Sequence, residues 1–479
     1  MVSFLISLAV LIGGYFIYGA VVERVFGADP KRQTPAYSMR DDVDYLPLPT
    51  WKVFLIQFLN IAGLGPIFGA IMGIMFGPAA FLWIVLGTIF AGAVHDYLSA
   101  MISLREGGAS LPEFVGKELG TSIKQVMRVF SLLLMILVGA VFVVNPADLL
   151  AGMTPDWMDR VFWIVCIFAY YILATLLPID KLIGNIYPVF GAALLFMAVG
   201  LVGYMLFSGV TIPDGFSEGL WNRSPNPEAT PIFPMMFVSI ACGAISGFHA
   251  TQSPMMARCL KNEKLGRPIF YGAMVAEGIV ALIWAAATIA FTGGYAGLDE
   301  YMAANGNLPA PLVNEISVSW LGTVGGILAM LGVVAAPITT GDTALRSARL
   351  IASDFLKISQ KTILKRLLVS IPIFLAAFGI MMIDFSVLWR YFGWCNQTLA
   401  VFTLWGITVY LARRGKPWII TLLPAVFMTD VCLSYLLFSP SLGIGMSYGL
   451  SVGLGTAVSV ALAIFFLISR KRLNVPATV

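Results

Sequence analysis

The stretch Phe237-Val238-Ser239-Ile240-Ala241-Cys242-Gly243-Ala244-Ile245-Ser246-Gly247-Phe248-His249-Ala250-Thr251-Gln252-Ser253-Pro254 decides the fold. It is apolar enough to lie in hydrocarbon, yet Gly243, Gly247 and Pro254 interrupt it where a straight helix would run. An earlier stretch, Phe58-Leu59-Asn60-Ile61-Ala62-Gly63-Leu64-Gly65-Pro66, repeats the order: Phe-x-x-Ile-Ala, then a Gly/Pro break. Such a break at membrane depth frees backbone N–H and C=O groups that lipid cannot satisfy, so the segment must be buried in protein or line a wet cavity. Freed amides attract anions and freed carbonyls coordinate cations. Two breaks facing each other predict a substrate site near the midplane. Asn60, Ala62, Gly63, Gly65 and Pro66 form one side of it, and Gly243, Ser246, Gly247, Phe248, His249, Thr251 and Gln252 the other. The alternative is kinking for packing alone. The pairs Gly13-Gly14 and Gly453 to Gly455 read that way, as close helix contacts.

Outward from the breaks the whole chain belongs in lipid. Its 479 residues are 59% hydrophobic and 11% charged, with mean hydropathy +0.89, whereas soluble proteins carry about 25% charged residues. Apolar segments of spanning length, at roughly 20 residues each, number about thirteen. The fold class is therefore an all-α polytopic membrane protein. The first broken helix opens a group of five spans (residues 51–208), and the second opens another (231–411). An odd number of spans in the first group starts the second from the opposite side, which makes a LeuT-like five-plus-five inverted repeat with a discontinuous first helix in each half. Residues 1–50 add one helix and a cytoplasmic loop, 209–230 an extracellular loop, and 412–479 two C-terminal helices and a short tail.

Charge placement supports that topology. With the N-terminus outside and the C-terminus in the cytoplasm, every Lys and Arg of the 29 except Arg160, Arg223 and Arg390 falls on the cytoplasmic side. Arg346 and Arg349 are counted there, in a loop after a span at 318–340. Met1-Val2-Ser3 puts no basic residue ahead of the first apolar run, which reads as a retained span and not a cleaved signal.

Several classes are excluded. The composition leaves no soluble domain for nucleic-acid binding or peripheral catalysis. The five cysteines are scattered through apolar runs, where free Cys behaves as a small hydrophobe, so neither a disulfide framework nor a metal cluster is implied. Two histidines, His95 and His249, cannot build a His-rich zinc site. Gly445-Met446-Ser447-Tyr448-Gly449 matches a hydrolase elbow by chance, since no strand-to-helix turn accompanies it. No enzyme and no cofactor is expected.

Ionisable groups inside spans are costly and become site hypotheses. Glu277 lies about ten residues, roughly 15 Å, into its span, near the midplane. It is the first candidate for a proton-carrying or cation-binding carboxylate, with a structural hydrogen-bonded role as the alternative. His249, in the second break, could titrate or donate to an anionic substrate, with a satisfied structural histidine as the alternative. His95 and Asp96 suit gating or proton exit, or equally an interhelix hydrogen bond; adjacent helical residues diverge by about 100°, so they are not expected to pair with each other. Thr339, Thr340 and Asp342, at the end of the 318–340 span, suit a hard cation such as Na⁺, or equally a helix cap. Asn396 and Gln397 add polar groups to the last span of the second half. Asp384 and Arg390 are placed to form a lid ion pair nearer the outer surface.

The block Ile240 to Ala250, Gly272-Ala273-Met274 followed by Glu277, and Phe392-Gly393-Trp394-Cys395-Asn396-Gln397 closely resemble the carbon starvation protein A (CstA) family. So do Asp29-Pro30 through Thr34-Pro35-Ala36, Ala91 to Asp96, and Asp342 with Arg346, Ser347 and Arg349. The resemblance implies an inner-membrane secondary transporter of the amino-acid/polyamine/organocation superfamily, linked to uptake of peptides and pyruvate during nutrient limitation. Its conduction core would comprise Asn60 to Pro66, Gly243 to Gln252, Glu277, Thr339, Asp342 and Asn396-Gln397. The chain departs from the long members in three places: Ile56-Gln57 stands where a His-His pair is frequent, His95 where Gln is common, and Phe291 to Ser317 is a modest loop.

The functional expectation is a transporter embedded in the inner membrane that imports a small carboxylate-bearing nutrient with H⁺ or Na⁺. An uncoupled facilitator or channel and a membrane nutrient sensor are the alternatives. Oligomeric state does not follow from the sequence.

Overall fold

A computed structural model describes residues 1–473 except 43, 153, 177–178, 214–218, 359, 361, 384 and 441. Asp384, and with it the lid pair expected with Arg390, lies outside the described residues. Among those residues the secondary structure is helical throughout, with no strand.

Helix α1 (Val2–Phe26) and short α2 (Pro35–Ser38) lead to α3 (Thr50–Ile61). There the chain breaks, passes through a π-helical turn (Gly65–Gly69) and resumes as α4 (Ala70–Ile74), bent by 53° from α3. Helices α5 (Ala79–Gly87) and α6 (Ala93–Arg105) join through another π turn. Then come α7 (Leu111–Leu119), α8 (Thr121–Ala151), α9 (Arg160–Leu176) and α10 (Ile179–Phe207). The second broken helix is α11 (Phe237–Ser239) and α12 (His249–Ala257), separated by non-helical backbone. It is followed by α13 (Gly272–Phe291), α14 (Tyr295–Ala304), α15 (Pro309–Ala329), α16 (Ala335–Leu356) and α17 (Ile363–Ile380). Helices α18 (Phe385–Arg413), α19 (Ile419–Phe438) and α20 (Tyr448–Leu473) complete the chain.

Among the described residues, 9 helices are long and apolar enough to cross a membrane, or 10 if the bent pair α3–α4 is one span. Buried segments escape that criterion because only lipid-facing surface has to be apolar. Helix α16 shows why. It packs chiefly on α8, and Asp342, Arg346 and Arg349 are all buried along it.

This corrects the sequence reading of the region. The stretch 291–317, expected to be a loop, contains α14 and the start of α15. Gly322, at φ 62 and ψ −149, kinks α15, and helical structure then continues to Leu356. Thr339, Thr340 and Asp342 therefore lie inside a buried helix and not at its cap, and Arg346 and Arg349 lie in that helix and not in a loop. Hydropathy misplaced the span because polar side chains facing neighbouring helices look like the end of an apolar run.

The small-residue contacts divide similarly. A Cβ on Gly14 would stand 2.5 Å from Ile89, and one on Gly455 2.3 Å from Ser434, but Gly13 and Gly453 meet nothing within 4 Å. At the predicted cytoplasmic end, buried Glu263 accepts from Arg105 Nη2 (2.9 Å), Arg105 Nε (3.1 Å) and the Asp29 amide (2.7 Å). These contacts tie the loop after α1 to the end of α6 and to the connection between α12 and α13.

Candidate functional site

Both broken helices leave helical geometry within the Phe-x-x-Ile-Ala motif, one position apart: α3 at its Ala, Ala62 (φ −84, ψ 49), and α11 at its Ile, Ile240 (φ −89, ψ 59). The breaks touch directly. A Cβ on Gly65 would lie 2.0 Å from Cys242 Cβ, so only glycine permits this approach. Gly247 plays the same part against α18: a Cβ there would stand 2.3 Å from the Ala400 amide nitrogen and 2.4 Å from the Asn396 carbonyl, and its own N–H donates to that carbonyl at 3.2 Å.

Polar side chains fasten the second break. Asn396 Oδ1 accepts from the Phe248 amide (2.7 Å) and from Ser246 Oγ (3.0 Å). Gln397 Nε2 donates to the carbonyls of Phe237 (3.2 Å) and Ala241 (3.3 Å), which the end of α11 leaves without helical partners. Thr88 Oγ1 donates to the Gly243 carbonyl at 3.0 Å. Pro66 and Ala62 pack in the buried wall of the first break, with Pro66 Cα 3.6 Å from the position a Gly243 Cβ would take.

A line of buried ionisable groups runs from α6 through the second break to α13. Asp96 Oδ1 lies 2.7 Å from His95 Nδ1, and its Oδ2 lies 2.7 Å from His249 Nδ1. The expectation that His95 and Asp96 do not pair is thus overturned: their Cα directions diverge, but the imidazole swings Nδ1 back to the neighbouring carboxylate. An ionised carboxylate only accepts, so each Nδ1 carries the proton it donates. That leaves His249 Nε2 facing Glu277 Oε2 across 3.5 Å, with neither atom hydrogen-bonded. The other Glu277 oxygen accepts from the Gly243 amide at 3.4 Å. Cys242 Sγ, His249 and Glu277 present ligand atoms within 4.8 Å of one another.

The remaining residues form a second group around the first break. Thr340 Oγ1 donates to the carbonyls of Leu59 (3.2 Å) and Ala336 (2.9 Å), and Thr339 Oγ1 to Ala336 O (2.8 Å). Gly63 lies beside Thr340, with 3.3 Å from its would-be Cβ to Thr340 Oγ1. Asp342 Oδ2 accepts from Tyr187 OH at 2.7 Å. Both side-chain polar atoms of Asn60 are buried without a hydrogen-bond partner. Thr251 and Gln252 point elsewhere, toward Met135 Sδ on α8 (3.2 and 3.7 Å), and Gln252 also reaches Ser347 on α16 (3.4 Å).

Sequence reasoning missed Cys242, Thr88 and Tyr187. Cys242 had a signal in its position inside the break; Thr88 and Tyr187 had none, because a single hydroxyl in an apolar run is unremarkable until its partner is known.

The chain matches the model of the family described as carbon starvation protein CstA over residues 1–157, 154–324 and 310–434. It belongs to the CstA family. A membrane protein of Haemophilus influenzae is 46% identical over 351 residues, 64% of this chain and 95% of that protein. The pyruvate/proton symporter BtsT of Escherichia coli is 29% identical over 373 residues, but this covers 65% of the CstA-family chain here and only 52% of the symporter. The peptide transporter CstA of Bacillus subtilis is 26% identical over 512 residues, 86% of this chain and 85% of that one. A crystal structure of the Eremococcus coleocola manganese transporter shares the fold, with TM-score 0.56 at 12% identity over 91% of this chain and 99% of that one. The named relatives are transporters and not enzymes, in agreement with the sequence reading.

Proposed function

We propose that this CstA-family protein imports a small carboxylate-bearing nutrient, a peptide, pyruvate or an amino acid, by proton-coupled alternating access across the inner membrane under carbon limitation. The observation that carries the reading is the buried line His95–Asp96–His249–Glu277, which crosses the second break. With both Nδ1 protons committed to Asp96, the facing pair His249 Nε2 and Glu277 Oε2 has room for one proton between them. Any movement of α12 against α13 changes their 3.5 Å separation and so the ease of exchanging that proton. Substrate would sit where the two breaks meet, with the side-chain amide of Asn60, buried without a hydrogen-bond partner, as its contact for a carboxylate. The names of the Escherichia coli pyruvate/proton symporter and the Bacillus subtilis peptide transporter agree with this substrate class and coupling ion. The five-plus-five repeat and the outside N-terminus are part of the same proposal.

The test is uptake of labelled pyruvate, alanine and a dipeptide into proteoliposomes, with an imposed inward proton gradient or Na⁺ gradient. Uptake of one substrate should collapse on adding a protonophore. Uptake driven by Na⁺ alone, or indifferent to both gradients, refutes proton coupling; uptake of none of the three refutes the substrate class.

A further inference from the structure

We infer that Cys242 Sγ, His249 Nε2 and Glu277 Oε2 form a binding site for a divalent d-block cation of the Zn²⁺ or Co²⁺ type. These ions take mixed sulfur, imidazole and carboxylate ligands in tetrahedral sites, and three protein ligands leave the fourth position open. One ligand atom from each of the three residues lies within 4.8 Å of the others, and Nε2 and Oε2 are 3.5 Å apart. Tetrahedral bonds of about 2.0–2.3 Å would draw them to about 3.3–3.8 Å apart, a contraction within reach of side-chain rotation.

The argument is in how each ligand is held. Ligating histidines donate their other ring N–H to a carboxylate or carbonyl, which fixes the tautomer. His249 Nδ1 donates to Asp96 Oδ2 at 2.7 Å, and Nε2 is left buried with no hydrogen bond. The Gly243 amide holds Glu277 Oε1 at 3.4 Å, and Oε2 is likewise buried without a hydrogen bond. The Phe248 amide donates to Asn396 Oδ1 at 2.7 Å, so the Asn396 NH₂ is turned toward Cys242 Sγ, 3.5 Å away, as a donor suited to a thiolate. Sγ also lies 3.6 Å from Ser246 Oγ. All three ligands are thus oriented by a second contact, and two of their ligand atoms face each other unused.

A bound ion would join both sides of the second break to α13, because Cys242 precedes α12, His249 begins it, and Glu277 lies on α13. Its consequence is arrest of the break in this arrangement. Metal binding replaces the thiol proton, which leaves to solvent.

Co²⁺ is the probe. Purified full-length protein in detergent, stripped with chelator, should bind one equivalent of Co²⁺ with a sulfur-to-cobalt charge-transfer band. C242S should abolish the band, while C259S and C432S keep it. D96N should weaken binding about 10- to 100-fold with the band unmoved, as expected of a positioning residue. No band in the wild type, or a band that C242S retains, overturns the site. Should C242S not fold, E277Q decides: affinity at least tenfold lower supports the site, and unchanged affinity overturns it. None of these readouts depends on transport, so failure of the metal site and failure of the import reading are separable.

Discussion

Replacing Gly65 by alanine tests whether the contact between the two breaks holds the site together. The added Cβ would stand 2.0 Å from Cys242 Cβ, 2.4 Å from its Sγ and 3.5 Å from its Cα. Carbon atoms make their best contact at about 3.5–4.0 Å, so the breaks would have to part by about 1.5–2 Å. A rotamer change moves Sγ but leaves Cβ where it is, and the clash cannot be relieved that way. Overpacking of this kind costs about 1–3 kcal/mol, which is about 5- to 150-fold in the population of the closed contact at a factor of ten per 1.4 kcal/mol. Purified variants would be compared by reversible denaturation in mixed detergent. G65A should lose about this stability; G13A, where nothing lies within 4 Å of the new Cβ, should not. The second-site variants carry the decisive contrast. G65A/C242A keeps the offending Cβ and should remain destabilised, whereas G65A/C242G removes it and should recover most of the loss. Equal rescue by C242A and C242G would refute the Cβ clash, and equal stability of G65A and G13A would refute the close approach itself.

Four further outcomes are expected. E277Q should abolish gradient-driven uptake while D430N retains most of it, since Asp430 accepts from Ser434 and Thr456 at the periphery (2.8 Å each); equal losses in the proteoliposome assay would show the coupling site to be misplaced. E263Q should destabilise the fold by about 1–3 kcal/mol, the cost of weakening charge-assisted hydrogen bonds, because Glu263 is fully buried while Arg105, left without its carboxylate, is partly exposed and keeps the Gly27 carbonyl; thermal melts within experimental error of the wild type would contradict this. Y187F should cost about 1–3 kcal/mol by stripping a buried carboxylate of a donor, measured by the same denaturation, with Asp342 as the affected partner. Burial alone would raise the Glu113 pKa, but hydrogen bonds from Lys124 and Arg128 outweigh it and hold the carboxyl below its usual 4.5. A lowered folded-state pKa stabilises above the unfolded value and is lost as pH falls through the folded one. Amide protection factors at α7, with the intrinsic pH dependence of exchange divided out, should therefore fall below about pH 4.5 in the wild type, and that acid-dependent step should be missing from E113Q.

Much of the architecture is legible without coordinates because lipid imposes it locally. An apolar run of spanning length has to be helical, and a Gly/Pro interruption inside one has to be buried or wet, so Phe58 to Pro66 and Phe237 to Pro254 announce broken helices on their own. The depth of Glu277 follows from counting residues along its helix. What hydropathy cannot see is which way a polar residue faces. The Thr339 to Arg349 run reads as the end of a span, yet it is the buried middle of a helical stretch whose partners are other helices.

The sequence by itself determined the membrane environment, the helical class, the family and the two interrupted segments. Only the tertiary structure decided that Asp96 clamps both histidines, that His249 Nε2 and Glu277 Oε2 face each other across 3.5 Å, and that Cys242 joins them. The physical reason is range. Backbone conformation in hydrocarbon is set within one helix, because its hydrogen bonds close locally. The chemistry of the site depends on side chains from α6, α12 and α13 meeting within a few ångströms, and no local pattern encodes that meeting.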